Sequence, residues 1–288
     1  MSVQTLIPLL LKTSIFLTVF ALGLQATFAD ATFLFRRPRL LIRGFMSMDL
    51  TMPLLALLLV MTLNLHPAVK IAMVALSVSP VPPIFPKKQL KAGGEEDYTI
   101  GLLVATVVLA IAVIPITMVI FGRITGVPLS MSALSVAVIV FKTVLTPLLL
   151  GIVLHAVASK LAGRIAKPIG NIAAAILILS ALPALFVLIR DNLALFVDGT
   201  LVALAVFALI GYIIGNFFGG PDPRDRSVLA AATASRHPGL ALAIAHANFP
   251  NQKLVVPTVI LYLIVSGVVT GVASKLMKKA KAPVEAKV

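Results

Sequence analysis

The chain contains no cysteine, which excludes disulfides, thiolate nucleophiles and cysteine-based metal sites. Charge is scarce: 12% of the residues are Asp, Glu, Lys or Arg, against about 25% in a soluble domain. Acidic residues are scarcer still, 10 against 24 Lys and Arg, leaving a net charge of +14. In a soluble protein that balance would suggest nucleic acid. With so few charges overall it reads instead as a bias of basic residues toward cytoplasmic loops, and no nucleic-acid partner is expected. There is no Walker motif, HExxH pair, glycine-rich loop after a strand or GxSxG elbow. No nucleophile stands beside a base or a metal cluster, so neither an enzyme nor a cofactor is expected.

What is present is apolar. The composition is 60% hydrophobic and the mean hydropathy is +1.10. That excludes a single water-soluble globule and predicts an all-α protein integral to the membrane, with the bilayer as its solvent. One crossing takes about 20 apolar residues. Nine segments qualify: 4–28, 39–63, 68–91, 97–122, 131–158, 169–189, 197–219, 226–247 and 254–276. The first lacks a basic leader and a good cleavage site at Thr27-Phe28-Ala29, so it is expected as a retained span.

Basic residues set the orientation. With the N-terminus outside, 17 Lys and Arg fall inside and 5 outside, with Lys142 and Arg236 at mid-span depth. The inside set includes Arg36, Arg37, Arg39 and Arg43, then Lys160, Arg164 and Lys167, then the lysines after Leu276. An odd number of crossings, with the C-terminus in the cytoplasm of an inner membrane, is the arrangement that keeps these clusters on one side. No polar stretch is long enough for a second domain. Residues 1–288 are therefore expected as one transmembrane domain, with repeat halves near 1–127 and 128–276 and a basic cytoplasmic tail at 277–288.

Two of the nine segments are interrupted. Ser79-Pro80-Val81-Pro82-Pro83 breaks the third and Arg236-His237-Pro238-Gly239 breaks the eighth, because proline lacks an N–H and clashes with the preceding turn. Broken backbone at membrane depth is tolerated only when it is buried in protein or lines an aqueous cavity. A pair of broken helices in corresponding positions of two halves points to a transporter site. The positions fit a ten-helix inverted repeat that lacks its first helix.

Several short motifs then carry a family resemblance. They are Arg37-Pro38-Arg39, Met52-Pro53, Ser79-Pro80, Lys142-Thr143-Val144-Leu145-Thr146-Pro147 and Pro238-Gly239-Leu240-Ala241-Leu242-Ala243. In order and spacing, from about residue 5 to 276, the chain resembles the bile acid:sodium symporter family. The resemblance implies a panel domain and a core domain, two crossed broken helices in the core, and alternating access for organic anions, often with sodium.

The departures from that pattern concern the ion sites. Where the family carries a Ser-Asn pair after the first break, this chain has Phe85-Pro86. The family's sodium-binding Glu and Gln are Ala232 and Arg236, and its substrate-facing Asn is His237. The Gln position in the second span is Met48, beside Asp49, and a late His-Asn pair is Leu263-Ile264. A cage that loses carboxylate, amide and hydroxyl oxygens and gains a guanidinium does not suit sodium, and no metal site is expected.

Intramembrane ions are functional candidates by default. Arg236 is expected to replace the lost cation, either by stabilising broken helix ends or by binding an anion. Asp49 could pair with it or carry a proton. The remaining candidates for substrate or ion binding are His237, Ser79, Pro80, Ser235, Gly239, Lys87 and Lys142. Lys142 is equally open to a packing or snorkelling role, and Lys87 to a solvated loop. Gly211 and Gly215 form a GxxxG, read as a helix-packing signal. The expected function is a secondary transporter of a small organic anion by alternating access, without conventional two-sodium symport. The alternatives are a non-transporting sensor on the same fold and a sodium-coupled symporter with a rebuilt site. A monomer suffices for this fold.

Overall fold

The computed structural model describes residues 3–91, 95–191 and 199–285. Among these there is helix and no strand. In chain order the helices are α1 (Val3–Gly23), α2 (Phe28–Ala31), α3 (Pro38–Phe45), α4 (Met52–Thr62), α5 (Pro67–Ser77), α6 (Phe85–Lys91) and α7 (Glu96–Thr125). There follow α8 (Ala133–Val140), α9 (Thr146–Val157), α10 (Ser159–Asp191), α11 (Thr200–Phe218), α12 (Pro223–Ala234), α13 (Pro238–Asn248) and α14 (Val255–Glu285). A widened π-turn at Met46–Thr51 joins α3 to α4 without interruption, and another at Phe141–Leu145 joins α8 to α9. Among the described residues, six helical stretches are long and apolar enough to cross a membrane: Pro38–Thr62, Glu96–Thr125, Ala133–Val157, Ser159–Ser180, Thr200–Phe218 and Val255–Met277. Leu9–Gly23 and Pro67–Ser77 are shorter apolar helices.

Boundaries follow local chemistry. Helices α5, α12 and α13 open on proline at the first position, where its missing N–H costs nothing. The residue before each caps the helix: His66 for α5, Asp222 for α12 and His237 for α13. Helix α7 closes on Gly126 in the left-handed conformation, with φ of 70°. Both expected breaks are present. Helix α5 ends at Ser77 and α6 starts at Phe85, across the run holding Pro80, Pro82 and Pro83. Helix α12 ends at Ala234 and α13 starts at Pro238. The first segment is shorter than its apolar run suggests: α1 stops at Gly23, and Thr27 and Asp30 form a capping box that starts α2.

The chain packs as two compact units, residues 1–41 with 80–193 and residues 42–79 with 194–288. Each unit draws on both expected repeat halves. In the first, α1 crosses α9 closely enough that a side chain at Gly23 or Gly151 would run into the other helix's backbone. Leu24, Ala162 and Ala166 are buried beside this crossing, with Phe20 and Leu154 against them. In the second unit, the GxxxG of α11 is a packing contact, as its spacing implies. A Cβ on Gly215 would collide with the Leu229 carbonyl and with Ala230 of α12, and one on Gly211 would crowd Met52.

Candidate functional site

The two π-turns share a cause. Each is followed within two residues by a helical proline, Pro53 or Pro147. Proline has no N–H to donate, so the helix ahead of it must leave a carbonyl without its usual partner. Counting five residues back from Pro53 in the widened register reaches Met48. The same subtraction from Pro147 reaches Lys142. Proline therefore leaves the Met48 carbonyl without its helical donor, and the Ser79 carbonyl lies past the end of α5 at Ser77; both are inside the second unit.

Arg236 supplies donors to both. Its Nη1 donates to the Ser79 carbonyl at 3.1 Å and its Nη2 to the Met48 carbonyl at 3.2 Å. The side chain is fully buried, with 0% exposure. One guanidinium thus ties the end of the first broken helix, the π-turn of the α3–α4 helix and the gap between α12 and α13. The rest of the second break is braced in the same way. Tyr262 of α14 donates its hydroxyl to the Ala234 carbonyl at 2.7 Å, and the Ser235 amide donates to Ala232 at 3.0 Å. Thr233 and Ser47 share a buried hydroxyl–hydroxyl bond of 2.6 Å across α12 and the π-turn.

Two polar atoms of this cluster are left over. Arg236 Nε and Asp49 Oδ2 are buried without a hydrogen-bond partner. Asp49 is 6% exposed, on the π-turn next to Met48. The two side chains interact through their charges without a direct bond.

The other candidates fall as follows. His237 is buried, and its Nδ1 accepts from the Leu240 amide at 3.2 Å, which makes it the cap of α13. Ser79 is buried, and its hydroxyl donates back to Ala75 at 2.7 Å, leaving its carbonyl as the group that meets Arg236. Ser235 is half-buried and Gly239 exposed, at the rim of the second break. Ala232 is fully buried on α12 and contributes no oxygen from its side chain. These residues all belong to the second unit. Pro80, Phe85, Pro86 and Lys142 belong to the first. There Pro80, Phe85 and Pro86 are buried, and Lys142 is exposed on the second π-turn. The side chain of Lys87 lies outside the described residues. Thr143 and Thr106 return their hydroxyls to the carbonyls of Ile139 and Leu102, as such residues usually do in helices.

Sequence reasoning missed Tyr262, Thr233, Ser47 and the carbonyl of Met48. Pro53, inside an apolar helix, signals that some carbonyl there needs a donor, and the widened turn at Met46–Thr51 makes it that of Met48. His66 and His155, expected simply at span ends, also make specific bonds. His66 caps α5, and His155 Nδ1 lies 2.8 Å from the Leu24 carbonyl.

A family model described as the Sodium Bile acid symporter family matches residues 13–196 of the chain. No individual curated protein matches the chain significantly. The matched stretch contains Asp49, Ser79 and the first break, and it ends before Arg236.

Proposed function

The chain belongs to the sodium bile acid symporter family, a family of membrane transporters, and from that premise we propose that it is a sodium-independent secondary carrier of a small organic anion. It works by alternating access, with nine crossings in panel and core domains, the N-terminus outside and the C-terminus in the cytoplasm. Arg236 stands in for the cation that relatives take from solution. A sodium ion held between broken helices collects carbonyl oxygens and neutralises the partial negative charge of helix ends. A guanidinium supplies the same positive charge covalently, and it never leaves.

One observation carries this reading: the Arg236 guanidinium donates to the Ser79 and Met48 carbonyls while fully buried. Ala232, Phe85 and Pro86, which bring no side-chain oxygen, are consistent with it. The permanent charge also favours an anionic cargo, met at the rim of the break by Ser235 and the first amides of α13. Lys142 and Lys87 are further basic candidates along its path. In this role Pro53, Pro147 and Gly239 act as hinges or packing points.

The test is a thermal-stability screen of the purified protein with keto acids, pantoate-like acids and bile acids, in sodium and in potassium buffer. A bound ligand at a hundred times its dissociation constant adds about 2.7 kcal/mol. The expected result is stabilisation by an anion to the same extent in both buffers. A midpoint raised by sodium alone, or an anion effect seen only with sodium, would overturn the fixed-cation reading. Flux of the stabilising anion into liposomes then separates a carrier from a sensor that binds without moving its ligand.

A further inference from the structure

The fixed-cation reading leaves open what couples transport to an energy source, and the two unused polar atoms beside Arg236 bear on this. The guanidinium spends Nη1 and Nη2 on backbone carbonyls, and its Nε–H has no acceptor. Asp49 lies on the adjoining turn with Oδ2 buried and no donor to it. A buried carboxylate is normally held by several hydrogen bonds or by a direct ion pair. Asp49 has neither satisfied at Oδ2; it has only the field of Arg236.

The other groups around the π-turn offer it no alternative counter-ion. Helix α11, packed against it, carries no charged residue, and its Tyr212 hydroxyl is engaged with Ser274 and Met277. On α12 the charged residues Arg224, Asp225 and Arg226 sit in the first turn, while the end near the π-turn presents Thr233. The α12–α13 gap adds Arg236 and His237, and the His237 ring is occupied as a helix cap. From α14 comes Tyr262, whose hydroxyl is committed to Ala234. On α5 the one charged residue, Lys70, lies in the first turn, away from Ser79.

We propose that Asp49 is the proton-binding group of the carrier, ionised opposite Arg236 when the site is empty and protonated when an anion is held. The inference rests on the organic-anion reading above and adds the coupling ion to it. The charge balance is explicit. With Asp49 ionised, its negative charge and the positive charge of Arg236 sum to zero, and the site holds no excess charge for an anion. Uptake of one proton by the carboxylate converts it to the acid and leaves the site at +1. One monoanion then restores neutrality. Proton and anion therefore favour each other's binding by the same factor. Transport of a monocarboxylate with one proton is electroneutral and needs no sodium.

The test reads the proton directly and needs no knowledge of the cargo. Infrared difference spectra of the purified, ligand-free protein are recorded in potassium buffer between acid and alkaline pH. The carbonyl stretch of a protonated, buried carboxyl group is followed. The expected result is a band that grows on acidification in the wild type, is lost in Asp49→Asn and is displaced in Asp49→Glu. In Arg236→Gln, where the ionised form loses its counter-charge, the band is expected to persist to more alkaline pH. Identical difference spectra for wild type and Asp49→Asn would overturn the proposal. So would an Arg236→Gln protein that titrates like the wild type. Should Arg236→Gln fail to fold, the comparison of wild type with Asp49→Asn still decides the matter. Failure of the anion reading shows up elsewhere, as an anion panel that stabilises nothing, so the two results are separable.

Discussion

Replacing Arg236 with alanine tests the central geometry most directly. The guanidinium is the donor to two carbonyls, Ser79 at 3.1 Å past the end of α5 and Met48 at 3.2 Å in the π-turn ahead of Pro53. Leaving a buried acceptor unsatisfied costs about 1–3 kcal/mol, so the two together amount to about 2–6 kcal/mol. A second loss comes from Asp49, whose ionised form loses its counter-charge; breaking a buried pair by removing one partner costs about 3–5 kcal/mol, less whatever protonation of the carboxylate relieves. Against these stands a gain, because burying the guanidinium itself carried a desolvation cost that alanine does not have. The terms overlap, and the expected net destabilisation is about 3–5 kcal/mol, read by thermal or detergent-induced unfolding. The double variant Arg236→Ala with Asp49→Asn separates them: it should recover part of the loss if Asp49 was left as an unpaired charge. The hole left by the side chain is lined by carbonyl oxygens, so added guanidinium ion at millimolar concentration should raise the midpoint of Arg236→Ala and leave the wild type unchanged. An Arg236→Ala protein within about 0.5 kcal/mol of the wild type would refute the strut, because that is the range of changes that touch nothing structural.

Other substitutions probe the supports around it. Tyr262→Phe removes the donor to the Ala234 carbonyl and should cost about 1–3 kcal/mol, measured by the same unfolding assay. His237→Ala removes the cap of α13 and should cost about 1 kcal/mol, whereas His237→Asn should retain most of that stability. Gly215→Val forces a side chain against the Leu229 carbonyl and Ala230, and overpacking of this kind costs about 1–3 kcal/mol. Lys142→Met should leave the unfolding midpoint almost unchanged because the side chain is exposed; loss of anion flux in liposomes without loss of stability would mark it as part of the path.

The helices and their two breaks are legible in the sequence because proline acts locally. Pro80, Pro82 and Pro83 cannot continue α5, and Pro238 fixes the restart of α13, whatever surrounds them. The π-turns are not legible in hydropathy, since Met46–Thr51 and Phe141–Leu145 lie inside continuous apolar runs and widen the helix without interrupting it. Arg236 stands out as an intramembrane charge, and its hydrogen bonds go to the carbonyls of Ser79 and Met48. Its partners could not be read in the same way. The Met48 carbonyl lies 188 residues away along the chain, and a backbone oxygen has no side-chain identity to notice.

Proline offers a route to such partners that a search for side chains does not. Each proline inside or just beyond a helix names a carbonyl, four residues back in the α register and five in the π register, that must find a donor elsewhere or face water. In a bilayer there is no water to face, so the donor must come from the protein. Applied to Pro53, with the widened turn at Met46–Thr51, that subtraction identifies Met48 as an acceptor. Few side chains in an apolar segment can donate to two carbonyls at once, and a forked guanidinium is one of them. A lone arginine beside a helix break is thus better explained as a donor to orphaned backbone than as a partner sought among acidic residues. Asp49 follows from the same logic in reverse. With the guanidinium committed to the backbone, the carboxylate next to Met48 is left to a counter-charge it does not touch, and a proton is the smallest ligand that can complete it.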